Sequence, residues 1–246
     1  MLEYHEKFKK FFEIKNEPNA EELALFQKTQ KYLKYVAWIP GLKMIAVCNS
    51  LSMFASKKNS DIDLFVITHP KRLWITRILM TLIFQILGVR RHGNKIVGRF
   101  CLSFFVTENA LDFSKIAIEN DIYLYFWIYY LKPVLDKDGT YKRFLEINKS
   151  SGFFDSFHSV QNNEALKIFP LQSEGQFLKG KYNYELDNSK ILDSLENFLK
   201  KIFLPKTLEH KKKLGDPFGL IVSDNILKFH DNDKRIKIRK QIIKNS

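Results

Sequence analysis

The chain has 246 residues, of which 45% are hydrophobic and 14% aromatic, and its formal net charge is +13. This length and composition allow a sizeable buried core and exclude wholesale disorder, and two cysteines are too few for a disulfide framework. The positive charge favours a polyanionic partner such as nucleic acid, although a solvated lysine-rich surface has the same composition.

The first residues mix lysine and glutamate and show no apolar stretch ahead of a small-residue cleavage site. We therefore expect a cytoplasmic protein in which Cys48 and Cys101 are reduced core residues. Two apolar stretches, 73–89 and 122–131, fall short of the roughly 20 clean apolar residues that span a bilayer. They predict buried helices and no stable membrane insertion.

The first 40 residues predict helices. Asn19 is placed as the N-cap of a helix over 21–35, and the Pro40-Gly41 pair predicts a turn. The apolar run 43–47 then predicts the first strand of the core.

A small polar turn follows this strand. Asn49 and Ser50 form the turn, and residues 51–57 predict a short helix. Ser50 is therefore expected near a helix N-terminus, where free backbone amides and a hydroxyl group can bind a phosphate.

Two carboxylates open the next apolar run. Asp61 and Asp63 stand at i and i+2, and the β-branched, apolar residues after them predict a strand. Side chains alternate faces along a strand, so both carboxylates lie on one side and can share a cation. Ionised carboxylates in a buried strand are costly unless they are paired or bound to a metal, although acids at a strand entry are often solvated or act as caps.

The pattern predicts five further segments. They are a core helix over 72–87 that stops at Gly88, a third strand over 99–106, a mainly helical stretch over 112–148 interrupted at Pro133 and at the 136–139 turn, a polar loop that includes 169–188, and an amphipathic helix over 191–203 ended by Pro205.

Basic residues concentrate at 90–92 and 234–240. Both clusters are candidate contacts for a polyanion. His230 is an open candidate for a metal ligand, whereas Asp231 or Asp233 is more simply explained as a helix cap.

The order of strand, polar turn, helix and Asp-x-Asp strand over roughly 36–110 resembles the nucleotidyltransferase fold of the DNA polymerase β superfamily. The resemblance implies an α/β (α+β) protein with a small mixed sheet and helical additions at both ends. It also implies a nucleotidyltransferase core with N-terminal helices over 1–115 and a mainly helical C-terminal part over 116–246 that packs on the core.

The resemblance also implies a site and a reaction. Asp61 and Asp63 would be the catalytic residues that bind Mg²⁺ or Mn²⁺, and Asn49 and Ser50 would bind the phosphates of a nucleoside triphosphate (NTP). The implied reaction transfers a nucleoside monophosphate (NMP) from the NTP to a hydroxyl acceptor, with RNA as one candidate.

Two departures from the family pattern leave a second function open. Asn49 stands where the family has glycine, and the predicted third strand carries no carboxylate, so Glu108 and Asp112 are the nearest substitutes. An acid beyond the strand end is held less firmly than one within it, and we expect neither to replace the missing group fully. The alternative is a catalytically silent relative that binds nucleotide or nucleic acid as a regulator.

Overall fold

The computed structural model describes residues 2–151, 187–215, 219–230 and 233–243. This part of the chain forms one six-stranded mixed sheet with helices packed on both faces. The predicted α/β (α+β) class with a small mixed sheet is confirmed.

The helices in the described part are α1 (Leu2–Phe12), α2 (Ala20–Leu33), α3 (Asn49–Ser52), α4 (Leu73–Ile86), α5 (Ile122–Tyr129), α6 (Thr140–Ser150), α7 (Lys190–Lys213) and α8 (Arg235–Ile243). The strands are β1 (Leu42–Val47), β2 (Ile62–Thr68), β3 (Phe100–Thr107), β4 (Lys132–Asp136), β5 (Leu220–Val222) and β6 (Ile226–Phe229). Their order in the sheet is β4-β1-β2-β3-β6-β5, and only the β2–β3 pair is parallel.

The central strands separate two hydrophobic cores. On β2, Leu64 and Val66 are buried on the face that also packs α2 and α4, whereas Phe65 and Ile67 are buried on the face that packs α5, α6 and α8. This alternation follows from the two-residue period of a strand. It fixes the face of the sheet on which Asp63 lies, since Asp63 and Phe65 are two residues apart.

The predicted N-cap of α2 is confirmed as a capping box. The Asn19 side-chain oxygen accepts from the Glu22 backbone amide, and the Glu22 carboxylate accepts from the Asn19 amide, both at 2.9 Å. The predicted first and third strands and the core helix that stops at Gly88 are also confirmed within one residue at each end.

Three predicted segments differ from the structure. The helix predicted over 51–57 is a single turn that starts at Asn49, and Phe54 beyond it has a left-handed backbone (φ 52°) that a helix cannot continue. The mainly helical stretch over 112–148 contains strand β4, in which Pro133 is tolerated because β4 is an edge strand. Pro205 lies inside α7, because a proline removes one backbone hydrogen bond without necessarily ending a helix.

The sheet draws strands from both halves of the chain. Three of its six strands, β4, β5 and β6, come from residues after 115, and the sequence pattern carried no strand prediction for 220–229. The division into parts over 1–115 and 116–246 stays a prediction. Of the predicted polar loop, residues 169–186 lie outside the described residues.

Helix α7 is attached to the core through a carboxylate. Glu196 accepts hydrogen bonds from the backbone amides of Trp74 and Ile75, each at 2.8 Å, in the first turn of α4. These amides have no partner within their own helix, so Glu196 caps α4 from another element.

Among the helices in the described ranges, none combines the length and the apolar character that crossing a bilayer requires.

Candidate functional site

Asp61, Asp63 and Cys101 meet at one end of the central strands. One ligand atom from each, two carboxylate oxygens and a thiol sulfur, lie within 4.8 Å of one another. Asp61 directly precedes β2, Asp63 lies within it, and Cys101 is the register partner of Asp63 on the parallel strand β3. The expectation that the two aspartates share one side of the strand is confirmed.

A bulge in β3 positions the third member of this cluster. Between the pairs Asp63–Cys101 and Phe65–Phe104, β2 advances two residues while β3 advances three. Cys101 shares a side of the sheet with Asp63 because register partners on neighbouring strands project to the same side. The extra residue after Cys101 lets Phe104, three positions further on, enter the core on that side beside Phe65. Bulges of this kind often redirect side chains next to functional sites.

The environment of Asp63 works against its negative charge. Burial, and after it the charge of Asp61, raises the pKa of Asp63 to about 6. Hydrogen bonds from the side chains of Asn49 and Cys101 and the charge of Arg91 act in the opposite direction. A cation bound between the two aspartates would offset both unfavourable effects.

Asn49 has a left-handed backbone conformation of the kind that glycine adopts most readily. Its φ is 57°, in the left-handed region that asparagine tolerates better than most residues. Its side-chain oxygen accepts a 2.8 Å hydrogen bond from the indole nitrogen of Trp127 on α5, and the same side chain is hydrogen-bonded to Asp63. Asn49 therefore orients a carboxylate of the cluster. Ser50 follows it in the single turn of α3 and is partly buried.

Arg91 already provides a positive charge to the cluster. Its Nη1 lies 2.6 Å from a carboxylate oxygen of Asp61 and 3.7 Å from the sulfur of Cys101. The Arg91 side chain is 43% exposed and that of Asp61 15% exposed, so the guanidinium can move away without breaking a buried contact. Burial and the charge of Asp63 raise the pKa of the Cys101 thiol to about 12.

A basic cleft of about 580 Å³ opens over Asp63 and Cys101. The cleft is lined by three arginines, Arg77, Arg90 and Arg91. Arg77 stacks over the Phe229 ring at 4.2 Å, and burial together with the charge of Arg90 lowers its pKa to about 10. The predicted basic cluster at 90–92 thus faces the aspartates.

An aromatic cavity of about 320 Å³ adjoins the cleft, and Asn49 and His230 line both. Its apolar side includes Phe104, Tyr123 and Trp127, and its polar side is largely basic. Among the basic groups, burial lowers the pKa of Lys228 to about 8. The cavity has the mixed lining of a small-molecule site.

Glu108 and Asp112 are engaged elsewhere. Glu108 forms an ion pair with Arg143 on α6. Asp112 accepts hydrogen bonds from the backbone amide and hydroxyl of Ser114, at 3.1 and 2.5 Å, and so caps a short 3-10 helix. The third group beside Asp61 and Asp63 is Cys101, which is partly exposed and so is not the core residue that the sequence predicts.

The basic segment 234–240 divides into buried and exposed residues. Arg235 is 3% exposed and pairs with Asp121 at 2.7 Å and Asp233 at 2.9 Å, which makes it part of the core. Asp233 also accepts from the Arg235 amide at the start of α8, in agreement with the predicted cap, whereas Asp231 lies outside the described residues. Lys234, Lys237 and Lys240 are exposed.

No family model, no curated protein and no solved structure matches this chain. The resemblance to the DNA polymerase β superfamily therefore stays a prediction, based on the motif from Asn49 to Asp63.

Proposed function

We propose that this protein is a metal-dependent nucleotidyltransferase that moves an NMP from an NTP to a hydroxyl acceptor. The observation that carries the proposal is the cluster of Asp61, Asp63 and Cys101, of which Asp63 and Cys101 line an arginine-rich cleft. A triphosphate substrate requires a divalent cation, held by carboxylates, next to positively charged side chains that bind its phosphates.

Asp61 and Asp63 would hold the cation, Mg²⁺ or Mn²⁺, because carboxylate oxygens are the ligands that these ions prefer. The bound ion would neutralise phosphate charge and polarise the phosphoryl oxygens. Asn49 keeps the Asp63 carboxylate oriented through its hydrogen bond, with Trp127 holding Asn49 in turn.

The arginines are the main phosphate contacts in this proposal. Arg91, which pairs with Asp61, would be free to contact a phosphate if a cation took its place, and Arg90 would add a second positive charge in the same cleft. The Asn49-Ser50 turn contributes backbone amides, but α3 is a single turn and its dipole is small. The adjoining aromatic cavity offers stacking surfaces to a base of the donor or of the acceptor.

RNA is the acceptor that the charge distribution favours. The exposed lysines of 234–240 continue the basic lining of the aromatic cavity, to which Lys234 belongs. Contact with several phosphates predicts an affinity that falls steeply with salt, with a log-log slope of about 0.7 per phosphate for a single strand. The cytoplasmic location stays a prediction.

One observation favours the second candidate, a silent relative that binds nucleotide or nucleic acid as a regulator. The position beside Asp63 on β3 is a cysteine, and both nearby acids, Glu108 and Asp112, have other partners. A site that lacks a third carboxylate can still hold a metal and a nucleotide while transferring slowly or not at all.

The test incubates the purified protein with each α-labelled NTP, Mg²⁺ or Mn²⁺, and total RNA or protein. We expect labelled polymer with the parent and none with Asp61→Asn or Asp63→Asn. Asp138→Asn is the matched control, because this exposed acid lies on the opposite side of β1 from the cluster strand β2. Saturable NTP binding without label transfer would support the regulator, and absence of both would overturn the nucleotide proposal.

A further inference from the structure

Cys101 differs in chemistry from the two carboxylates beside it. Its thiol sulfur lies within 4.8 Å of ligand oxygens of Asp61 and Asp63. Carboxylate oxygens suit Mg²⁺ and Mn²⁺, whereas a thiolate selects softer ions such as Zn²⁺. The cluster therefore combines two hard ligands with one soft ligand.

The backbone fixes Cys101 in this place. Cys101 pairs with Asp63 in the parallel register of β2 and β3, and register partners on neighbouring strands project to the same side of the sheet. Strand residues are held more firmly than loop residues, so the sulfur is a preorganised third ligand. Cys48, the second cysteine of the chain, is buried before α3 and does not belong to the cluster.

A positively charged group, the Arg91 guanidinium, already lies beside the cluster. The Arg91 guanidinium lies 2.6 Å from Asp61 and 3.7 Å from the Cys101 sulfur, on the exposed side of the cluster. A divalent ion would take the place of this single charge and would release the thiol proton to solvent, since the thiolate is the ligand form.

We propose that Asp61, Asp63 and Cys101 form a mixed oxygen and sulfur site that prefers a borderline-soft ion of the Zn²⁺ and Co²⁺ class over Mg²⁺. The inference deepens the proposed function, since it concerns the same site, and it rests on that function only for the role of the ion. Metal binding in the absence of nucleotide tests it separately from transfer.

The experiment titrates the metal-free full-length protein with Co²⁺ and records the sulfur-to-cobalt charge-transfer absorption. We expect one equivalent of Co²⁺ to produce this band, Zn²⁺ to displace it at near-equimolar concentration, and a large excess of Mg²⁺ to leave it in place. Cys101→Ser should abolish the band and lower the Zn²⁺ affinity by more than about 10-fold, since the loss of even an outer partner of a ligand costs about 10-fold to 100-fold.

Cys48→Ala is the matched control, because it removes the other thiol and should keep the band. If Cys101→Ser does not fold, Cys101→Asp provides a second test, since it restores an all-oxygen site and should shift the preference to Mg²⁺. A parent without a charge-transfer band, or a band that persists in Cys101→Ser, would overturn the inference. NTP transfer with Mg²⁺ in a protein without the band would leave the proposed function standing and refute the soft-ion site alone.

Discussion

The indole nitrogen of Trp127 donates a 2.8 Å hydrogen bond to the side-chain oxygen of Asn49, and the Asn49 side chain is hydrogen-bonded to Asp63. Trp127 is buried in α5, so a residue of the hydrophobic core sets the orientation of a site carboxylate. We expect Trp127→Phe to lower the free energy of unfolding by about 1–2 kcal/mol and the Mn²⁺ affinity by about 10-fold.

Calorimetric titration with Mn²⁺ and urea unfolding measure the two effects. Trp38→Phe is the control, since Trp38 also donates an indole hydrogen bond, but to the Tyr35 carbonyl three residues before it, and its side chain is exposed. An unchanged Mn²⁺ affinity in Trp127→Phe would show that Asn49 holds Asp63 without help from the indole.

The parts of the fold that the sequence predicted are those with a local signal. The Asn19 capping box, the strand that follows Asp61 and the helix stop at Gly88 each depend on residues a few positions apart. Strand β4 has no such signal, because Pro133 is compatible with a strand only at the edge of a sheet, and edge position is a tertiary property.

The candidate site was predictable to the same extent. The i and i+2 spacing placed Asp61 and Asp63 together, since it needs only one strand. The third group depends on the register of two strands, since Asp63 and Cys101 are 38 residues apart in the chain, and on a bulge that no local pattern predicts. The sequence therefore points to the acids Glu108 and Asp112 and not to Cys101. A cysteine at the start of a strand gives no local indication that it faces a site and not the core.

Asp63 should make the stability of the metal-free protein depend on pH. Its pKa is about 6 in the folded state, against about 4 in an unfolded chain, so the folded state binds the extra proton between these values. Stability therefore falls as the pH rises from about 4 to 6, and the loss at neutral pH is about 2–3 kcal/mol.

The measurement compares urea unfolding of the parent and Asp63→Asn over this pH range. We expect Asp63→Asn to be the more stable protein at neutral pH and the difference to disappear near pH 4, where the carboxyl group is protonated in both states. Added Mn²⁺ should reverse the order, because the metal stabilises only the protein that binds it. If the stability difference between the parent and Asp63→Asn did not change with pH, titration of Asp63 would not be its cause.

Arg235 should be a stability residue and not a contact for an anionic partner. Its guanidinium donates to Asp121 at 2.7 Å and to the Ile116 carbonyl at 2.9 Å, and it is 3% exposed. Arg235→Met leaves the buried Asp121 charge without this partner, so we expect a loss of about 3–5 kcal/mol in unfolding free energy.

Lys237→Met is the comparison for this prediction, since Lys237 is exposed on the same helix. Its stability should stay within about 0.5 kcal/mol of the parent, while its RNA affinity falls and depends less on salt. The double variant Asp121→Asn with Arg235→Met should recover part of the stability that Arg235→Met loses. If Arg235→Met weakened RNA binding without loss of stability, Arg235 would be a contact residue after all.

Glu108 and Asp112 should not complete the metal site. Glu108 is paired with Arg143, and Asp112 caps a 3-10 turn through Ser114, so neither carboxylate joins the cluster at Asp63. Glu108→Gln removes one partly exposed ion pair, which costs up to about 1 kcal/mol, and Asp112→Asn keeps the accepting oxygen. We expect the Mn²⁺ affinity and any label transfer from NTP to remain within about threefold of the parent in both variants, because the substitutions touch no ligand.

Two variants that each introduce a carboxylate on β3, Cys101→Asp and Ser103→Asp, test which position allows a third metal ligand. Cys101 is the register partner of Asp63, whereas Ser103 lies in the bulge, so Cys101→Asp should strengthen Mg²⁺ binding and speed any slow transfer more than Ser103→Asp does. The reason is geometric, since a ligand displaced by about an ångström can lose two orders of magnitude in rate. The opposite outcome is fast transfer by the parent that a single substitution, Asp112→Asn or Glu108→Gln, abolishes. It would show that the substituted acid completes the site and leaves its present partner when substrate binds.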